Sequence, residues 1–153
     1  MVNVSIGVTE ITGTLTVSGI GFGVLRRAIG ATFNGATGVI PSAITDPPDL
    51  AISEQDTPDM TVRAAPGACV IAGMVDGLDQ IASSPALVAP GTNDVIAIVQ
   101  LEDGALTIKY GTEAGSPTAP SVDAGHIKLA EVYLTTSHTT IQTADITDSR
   151  DFV

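Results

Sequence analysis

Residues 93–110 read NDVIAIVQLEDGALTIKY. The run VIAIVQL is apolar at nearly every position, the pattern of a strand buried on both faces. Glu102-Asp103-Gly104 follows, a turn in which glycine supplies a positive φ at no steric cost. Beyond it Leu106, Ile108 and Tyr110 alternate with Thr107 and Lys109, the period of two that marks a strand with one buried face. A buried strand, a tight turn and an amphipathic return strand predict an antiparallel hairpin at the heart of a β fold.

Upstream, DMTVRAAPGACVIAGM (59–74) alternates Met60, Val62 and Ala64 with Thr61 and Arg63. Pro66-Gly67 is a turn signal, so residues 60–64 and 68–72 are expected to pair as a second hairpin. Downstream, GSPTAPSVDAG is a loop by composition, and HIKLAEVYL a strand with Ile127, Leu129, Val132 and Leu134 inward. Its alternation breaks phase, which predicts a bulge near Ala130. Ile141 and Ile146 are expected near the domain edge. No window of a dozen residues carries helical spacing with caps.

Residues 41–58, PSAITDPPDLAISEQDTP, combine four prolines with four acids. Such a stretch runs extended, with one short strand around residues 50–53. Before it, Val4, Ile6 and Val8, then Ile11, Leu15 and Val17, read as one or two strands. The expected organisation is an N-terminal arm with connector (1–57) and a compact β domain (58–153). The expected fold is all-β: an antiparallel β-sandwich or partly closed barrel with an extended N-terminal arm.

Composition narrows the function classes. The 153 residues are 44% hydrophobic but 3% aromatic, with no Trp. The core must come from Val, Ile, Leu and Ala, which suit pleated surfaces. Seventeen acids against six Lys and Arg give a formal charge of −11. That field repels phosphate backbones and anionic lipid, so neither nucleic acid nor membrane is an expected partner. There is no basic segment followed by an apolar one, as a signal peptide needs, and no run of ~18 apolar residues. Asn3-Val4-Ser5 matches a glycosylation acceptor, read as accidental without a secretory signal. Cys69 has no intramolecular partner and sits in an apolar strand, where a buried inert thiol is expected.

Catalytic and metal motifs are weak. Gly19, Gly21 and Gly23 approach a phosphate-cradling GxGxxG, but Arg26 stands where the pattern from Gly21 needs glycine. His126 and His138 are twelve apart with no recurring ligand spacing, and are expected to face solvent. Asp145, Asp148 and Asp151 recur every third residue without the glycine and final Glu of a calcium loop, so turn chemistry is expected. Ser18 and Ser83-Ser84 lie in no G-x-S-x-G elbow. An enzyme reading needs a histidine brought beside a hydroxyl and an acid. A carbohydrate-binding module needs aromatic platforms, and two Tyr with three Phe are few. No cofactor is expected.

The ordered series PDMTVRAAPGACVIAG, NDVIAIVQL, GTEAGSPTAP, IKLAEVYL and ITDSR spans residues 58–150, about 60% of the chain. It resembles a β module of tailed-bacteriophage virion proteins. One departure is Asn93-Asp94-Val95, where that module usually has Arg-Ile-Asp. The resemblance implies a non-catalytic role in virion assembly. Such modules often continue past ITD-x-R into a receptor-binding part; here three residues follow, so a separate receptor-binding part is not expected. The implied role is a capsid decoration (cement) protein on the capsid exterior, with the major capsid protein as partner and, by analogy, a homotrimeric state. A tail or baseplate component is the alternative location. In the arm, Ile20, Phe22, Val24 and Leu25 are candidate apolar anchors and Arg26 and Arg27 candidate cationic contacts, lying across a neighbouring protein. The competing reading makes Phe22, Val24 and Ile29 strand core.

Overall fold

The computed structural model describes residues 36–41 and 48–153. The expectations for residues 2–35 lie outside the described residues. Among the described residues ten strands run in chain order: β1 Gly38–Ile40, β2 Ile52–Glu54, β3 Val62–Ala64, β4 Gly67–Ile71, β5 Met74–Leu78, β6 Ala82–Ser83, β7 Val95–Glu102, β8 Ala105–Tyr110, β9 Ile127–Leu134 and β10 Ile146–Asp148. One 3-10 turn, Thr143–Asp145, precedes β10. The protein is all-β, as expected. The strands form three antiparallel sheets, ordered β1-β4-β5, β10-β9-β7-β8 and β2-β3-β6.

The four-stranded sheet follows the local pattern. β7 is an eight-residue inner strand, paired with β8 and β9, and is buried from Val95 through Leu101 except for half-buried Ile96. The turn into β8 has Asp103 and Gly104 at φ 49° and 71°, both left-handed, which matches the twist of the flanking strands. The bulge is present. Val99 pairs with Ala130 but Gln100 with Lys128, which leaves Leu129 as the extra residue, and Leu129 and Ala130 are both fully buried.

The hairpin expected across Pro66-Gly67 does not form. β3 pairs with β2 and β6, whereas β4 pairs with β1 and β5, so Pro66-Gly67 carries the chain from one sheet into another. The crossing is tight: a Cβ on Gly67 would lie 2.8 Å from the backbone nitrogen of Leu50. The Pro66 carbonyl accepts the Leu50 N–H at 3.3 Å. β4 instead turns back at Ala72-Gly73, with φ 49° and 81°. Alanine tolerates that conformation poorly, so the pair lacks the Asn-Gly or Asp-Gly signature by which such a turn is read.

The three sheets share one core. One face of the four-stranded sheet (Val95, Ala97, Val99, Leu101, Leu129, Val132, Leu134) meets Val39, Cys69 and Leu78 from one small sheet and Val62 and Ala64 from the other. Burial of each larger aliphatic side chain contributes about 1.5–3 kcal/mol. Leu50 and Ile141 are fully buried in the same cluster. Ile141 therefore corrects the expectation of an edge position. Its N–H donates to the Asp59 carbonyl at 2.7 Å, which folds residues 135–145 over the core. A lone isoleucine among polar neighbours has no period to announce its burial. Ile146 is half-buried on the edge strand β10, where it was expected.

The position expected as a domain boundary, residue 57, falls between β2 and β3, which are hydrogen-bonded partners. The C-terminal residues close the fold. The Val39 N–H donates to the Asp151 carbonyl at 2.7 Å and the Val153 N–H to Val39 at 3.1 Å, around a parallel bridge between Val39 and Phe152.

Candidate functional site

Alternation along β7 turns Ile96, Ile98 and Gln100 away from the core residues Val95, Ala97 and Val99. Ile98 is nevertheless fully buried and Gln100 nearly so. Residues 111–125 are fastened over this outer face as a strap with carboxylate anchors at both ends. At one end Gln100 donates from Nε2 to Asp123 Oδ2 at 2.6 Å and accepts the Asp123 N–H on Oε1 at 3.1 Å. Lys109 Nζ donates to the other oxygen, Oδ1, at 2.7 Å. The Lys109 bond, then the Gln100 bond, hold the Asp123 carboxyl below its ordinary value.

At the other end Glu113 accepts three successive backbone N–H groups, from Gly91 at 3.1 Å, Thr92 at 2.9 Å and Asn93 at 3.1 Å. Successive amides converging on one carboxylate form an anion nest, here filled by the chain itself. The bonds from Asn93, Gly91 and Thr92, in that order, lower the Glu113 carboxyl below its ordinary value. The Ala114 N–H donates to the Asp94 carbonyl at 2.9 Å and completes the join.

Both tyrosines of the chain lie near this second end, on opposite faces of the sheet. Tyr110 pairs with Ala97 and Tyr133 with Ile96, adjacent positions on β7. The Tyr110 hydroxyl accepts the Val88 N–H at 2.8 Å, and the Tyr133 hydroxyl donates to Asp94. That bond to a carboxylate, with burial and the Asp94 charge, raises the Tyr133 phenol above its ordinary value. Each hydroxyl is thus bonded to the 88–94 segment, Tyr110 from the core face and Tyr133 from the outer face.

The histidines do not face solvent as expected. Their side chains are 14% and 16% exposed, each against a carboxylate: His126 Nε2 lies 3.2 Å from Glu102 Oε2, and His138 Nε2 3.2 Å from Asp145 Oδ1. His138 Nδ1 is also 2.9 Å from Thr135 Oγ1, which lies 3.1 Å from Ser137 Oγ. Hydroxyl, imidazole and carboxylate in series are the parts of a nucleophilic triad. However, Nδ1 already accepts the Thr135 backbone N–H at 2.8 Å, and the His138 N–H returns to the Thr135 carbonyl at 3.2 Å. The imidazole closes its own four-residue turn, and its lone pair is shared with an amide that cannot leave.

Asp145, Asp148 and Asp151 do not converge. Asp145 Oδ2 accepts the Gln142 N–H at 2.9 Å, capping the 3-10 turn. Asp148 grips Arg150 with both oxygens, at 2.8 Å from Nε and 2.5 Å from Nη2. The Asp151 carbonyl serves β1. Turn and clasp chemistry accounts for all three. Arg150 also reaches the Asp49 carbonyl and lies 5.3 Å from the Phe152 ring centre, a cation–π distance. Cys69 is fully buried in β4, as expected.

A shallow cleft of about 230 Å³ lies between Thr37, Ser121, Val122, His126, Lys128 and Asp151. Its basic side chains are already engaged, His126 beside Glu102 and Lys128 with Glu131. Among the described residues no group of three or more His, Cys, Asp or Glu could hold a metal ion, and no helix is long and apolar enough to cross a membrane.

The arm candidates Ile20, Phe22, Val24, Leu25, Arg26 and Arg27 lie outside the described residues. Glu113, Asp123 and the tyrosine pair went unnoticed in the sequence. Glu113 and Asp123 sit in a stretch whose Gly, Pro and Ser announce only a loop, and the tyrosines read as ordinary strand positions. No family model, curated protein or solved structure matches this chain.

Proposed function

We propose that this chain is a non-catalytic structural protein of a tailed-bacteriophage virion, a capsid decoration protein that binds the outer surface of the major capsid lattice. The reading rests on the resemblance of residues 58–150, and one observation carries it. The motifs of that series form consecutive pieces of one all-β unit, and its last residue, Arg150, ties the unit's end back to Asp49. The closing residue of the series thus has a structural task, which suits a module kept for its fold rather than for a reaction.

The mechanism is linkage. A protein that binds only the assembled lattice stabilises it by mass action, and repeated contacts multiply a modest single-site affinity. Trimeric association and arm contacts through Arg26 and Arg27 belong to this proposal. A tail or baseplate location is the alternative; it predicts the same fold at far lower copy number.

The test is quantitative mass spectrometry of purified virions against the major capsid protein. Hundreds of copies in a simple ratio to the capsid subunit are expected. A handful, in multiples of three or six, moves the protein to the tail. Absence from particles overturns the virion reading.

A further inference from the structure

Along the β8 edge of the four-stranded sheet we infer a strand-addition site whose occupant is residues 2–8 of the same chain. The inference goes beyond the virion reading and does not require it.

Half of the β8 main chain is left unbonded. The Gly111 N–H donates to the Ile96 carbonyl at 2.9 Å, and bonded pairs alternate along an antiparallel register. Thr107 and Lys109 therefore turn their N–H and C=O groups to β7, while those of Leu106, Ile108 and Tyr110 point outward. None of these outward groups is bonded among the described residues. β8 is also the longest edge strand described: it has six residues, β5 has five, and β1, β2, β6 and β10 have two or three. Edges are normally blunted by proline, a bulge or a projecting charge. β8 has neither proline nor bulge, and its one charge, Lys109, is drawn across the outer face to Asp123. Such an edge accepts another strand through main-chain hydrogen bonds.

Pattern and charge select the strand. A neighbour of β8 must be apolar on the row of Leu106 and Ile108, which pack into the core, and polar on the row of Thr107 and Lys109. Residues 2–8 have that alternation, Val2, Val4, Ile6 and Val8 against Asn3, Ser5 and Gly7. They carry no charged side chain. Residues 1–35 as a whole hold Glu10, Arg26 and Arg27, a net positive segment in a chain of −11. A second copy pairing β8 with β8 about Ile108 would instead set Asp103 against Glu113, and like charges directly opposite are destabilising.

Reach favours the chain's own segment. Ala36 is fixed at the start of β5, where its carbonyl accepts the Gly73 N–H at 2.9 Å. The far end of β5 lies beside the turn into β8: a Cβ on Gly104 would stand 3.5 Å from the Gly77 carbonyl oxygen. β5 spans only about 15 Å, whereas residues 9–35 can extend to about 90 Å. A tether that spans the gap makes pairing intramolecular, at an effective concentration above that of a separate copy.

The experiment is amide hydrogen exchange of the full chain, followed by NMR. The Leu106, Ile108 and Tyr110 amides are expected to exchange about a hundredfold below their intrinsic rates, at every protein concentration. Only alternate residues of an added strand aim N–H groups at β8, so prolines at two successive positions remove at least one. Ser5→Pro/Ile6→Pro is therefore expected to speed the three outward amides about tenfold, and to leave the Thr107 and Lys109 amides unchanged. If the variant loses protection at Thr107 and Lys109 as well, cross-strand NOEs from residues 2–8 to 106–110 in the wild type decide; they are expected, and their absence overturns the proposal. Outward amides at intrinsic rates in the wild type, or protection unchanged in the variant, also overturn it. So does protection lost on dilution, which would assign the edge to a second copy. The virion census and this exchange measurement share no component, so either can fail while the other stands.

Discussion

The guanidinium of Arg150 donates to the main-chain carbonyl of Asp49 at 2.5 Å, a contact that closes 101 residues of sequence. The carbonyl precedes Leu50, a fully buried residue held at φ 55°, which is left-handed and costly for a leucine. Arg150 therefore holds in place a turn that local preference disfavours, while Asp148 neutralises the guanidinium with both oxygens.

Replacing Arg150 by Ala is expected to cost about 2–3 kcal/mol, since it removes charge-assisted bonds from a largely buried group. Lys is expected to recover only part of this, because an ammonium cannot reproduce the fork to Asp148 while reaching Asp49. Urea denaturation at constant m reads both. Equal midpoints for Arg150→Lys and wild type would refute the clasp.

Ile141→Ala is expected to cost about 3 kcal/mol through lost burial and the cavity it leaves. Met74→Ala, at a 66% exposed position, should fall within about 0.5 kcal/mol of wild type. Comparable losses from the two would place Ile141 outside the core.

Acid is expected to release the strap. Both anchoring carboxyls are lowered in the folded state, so each contributes fully above its ordinary value, 4.5 for Glu113 and 3.8 for Asp123. The contribution is lost as pH falls through the lowered folded value. Amide exchange at Gly91, Thr92 and Asn93, corrected for intrinsic rate, should accelerate through that window. Glu113→Gln should abolish the pH dependence at these three amides. An unchanged profile in that variant would rule out the nest as its source.

The Thr135–His138–Asp145 series is expected to be chemically silent. A fluorophosphonate probe should label neither Thr135 nor Ser137, because His138 Nδ1 is shared with a backbone amide. His138→Ala should instead loosen the 135–138 turn, read as faster exchange of the Thr135 amide. Stoichiometric labelling lost in His138→Ala would establish a nucleophile and overturn the non-catalytic reading.

Local features were readable and long-range ones were not. β7, the Asp103-Gly104 turn and the bulge beside Ala130 follow from side-chain period and φ preference within a few residues. The turn at Ala72-Gly73 escaped because alanine is an unlikely bearer of a positive φ. The histidines were misplaced because the carboxylates covering them, Glu102 and Asp145, approach through folding rather than through any motif.

By itself, then, the chain determined an antiparallel all-β fold with a double-sided buried strand, a Val-, Ile- and Leu-built core and an acidic surface. Those properties depend on composition, on a period of two and on the dihedral limits of single residues. The tertiary structure alone decided that β3 and β4 join different sheets, that Ile141 enters the core, that Glu113 and Asp123 fasten the strap and that both tyrosine hydroxyls bond the 88–94 segment. Each of these joins groups distant along the chain, by contacts whose energy depends on position in space and leaves no local pattern.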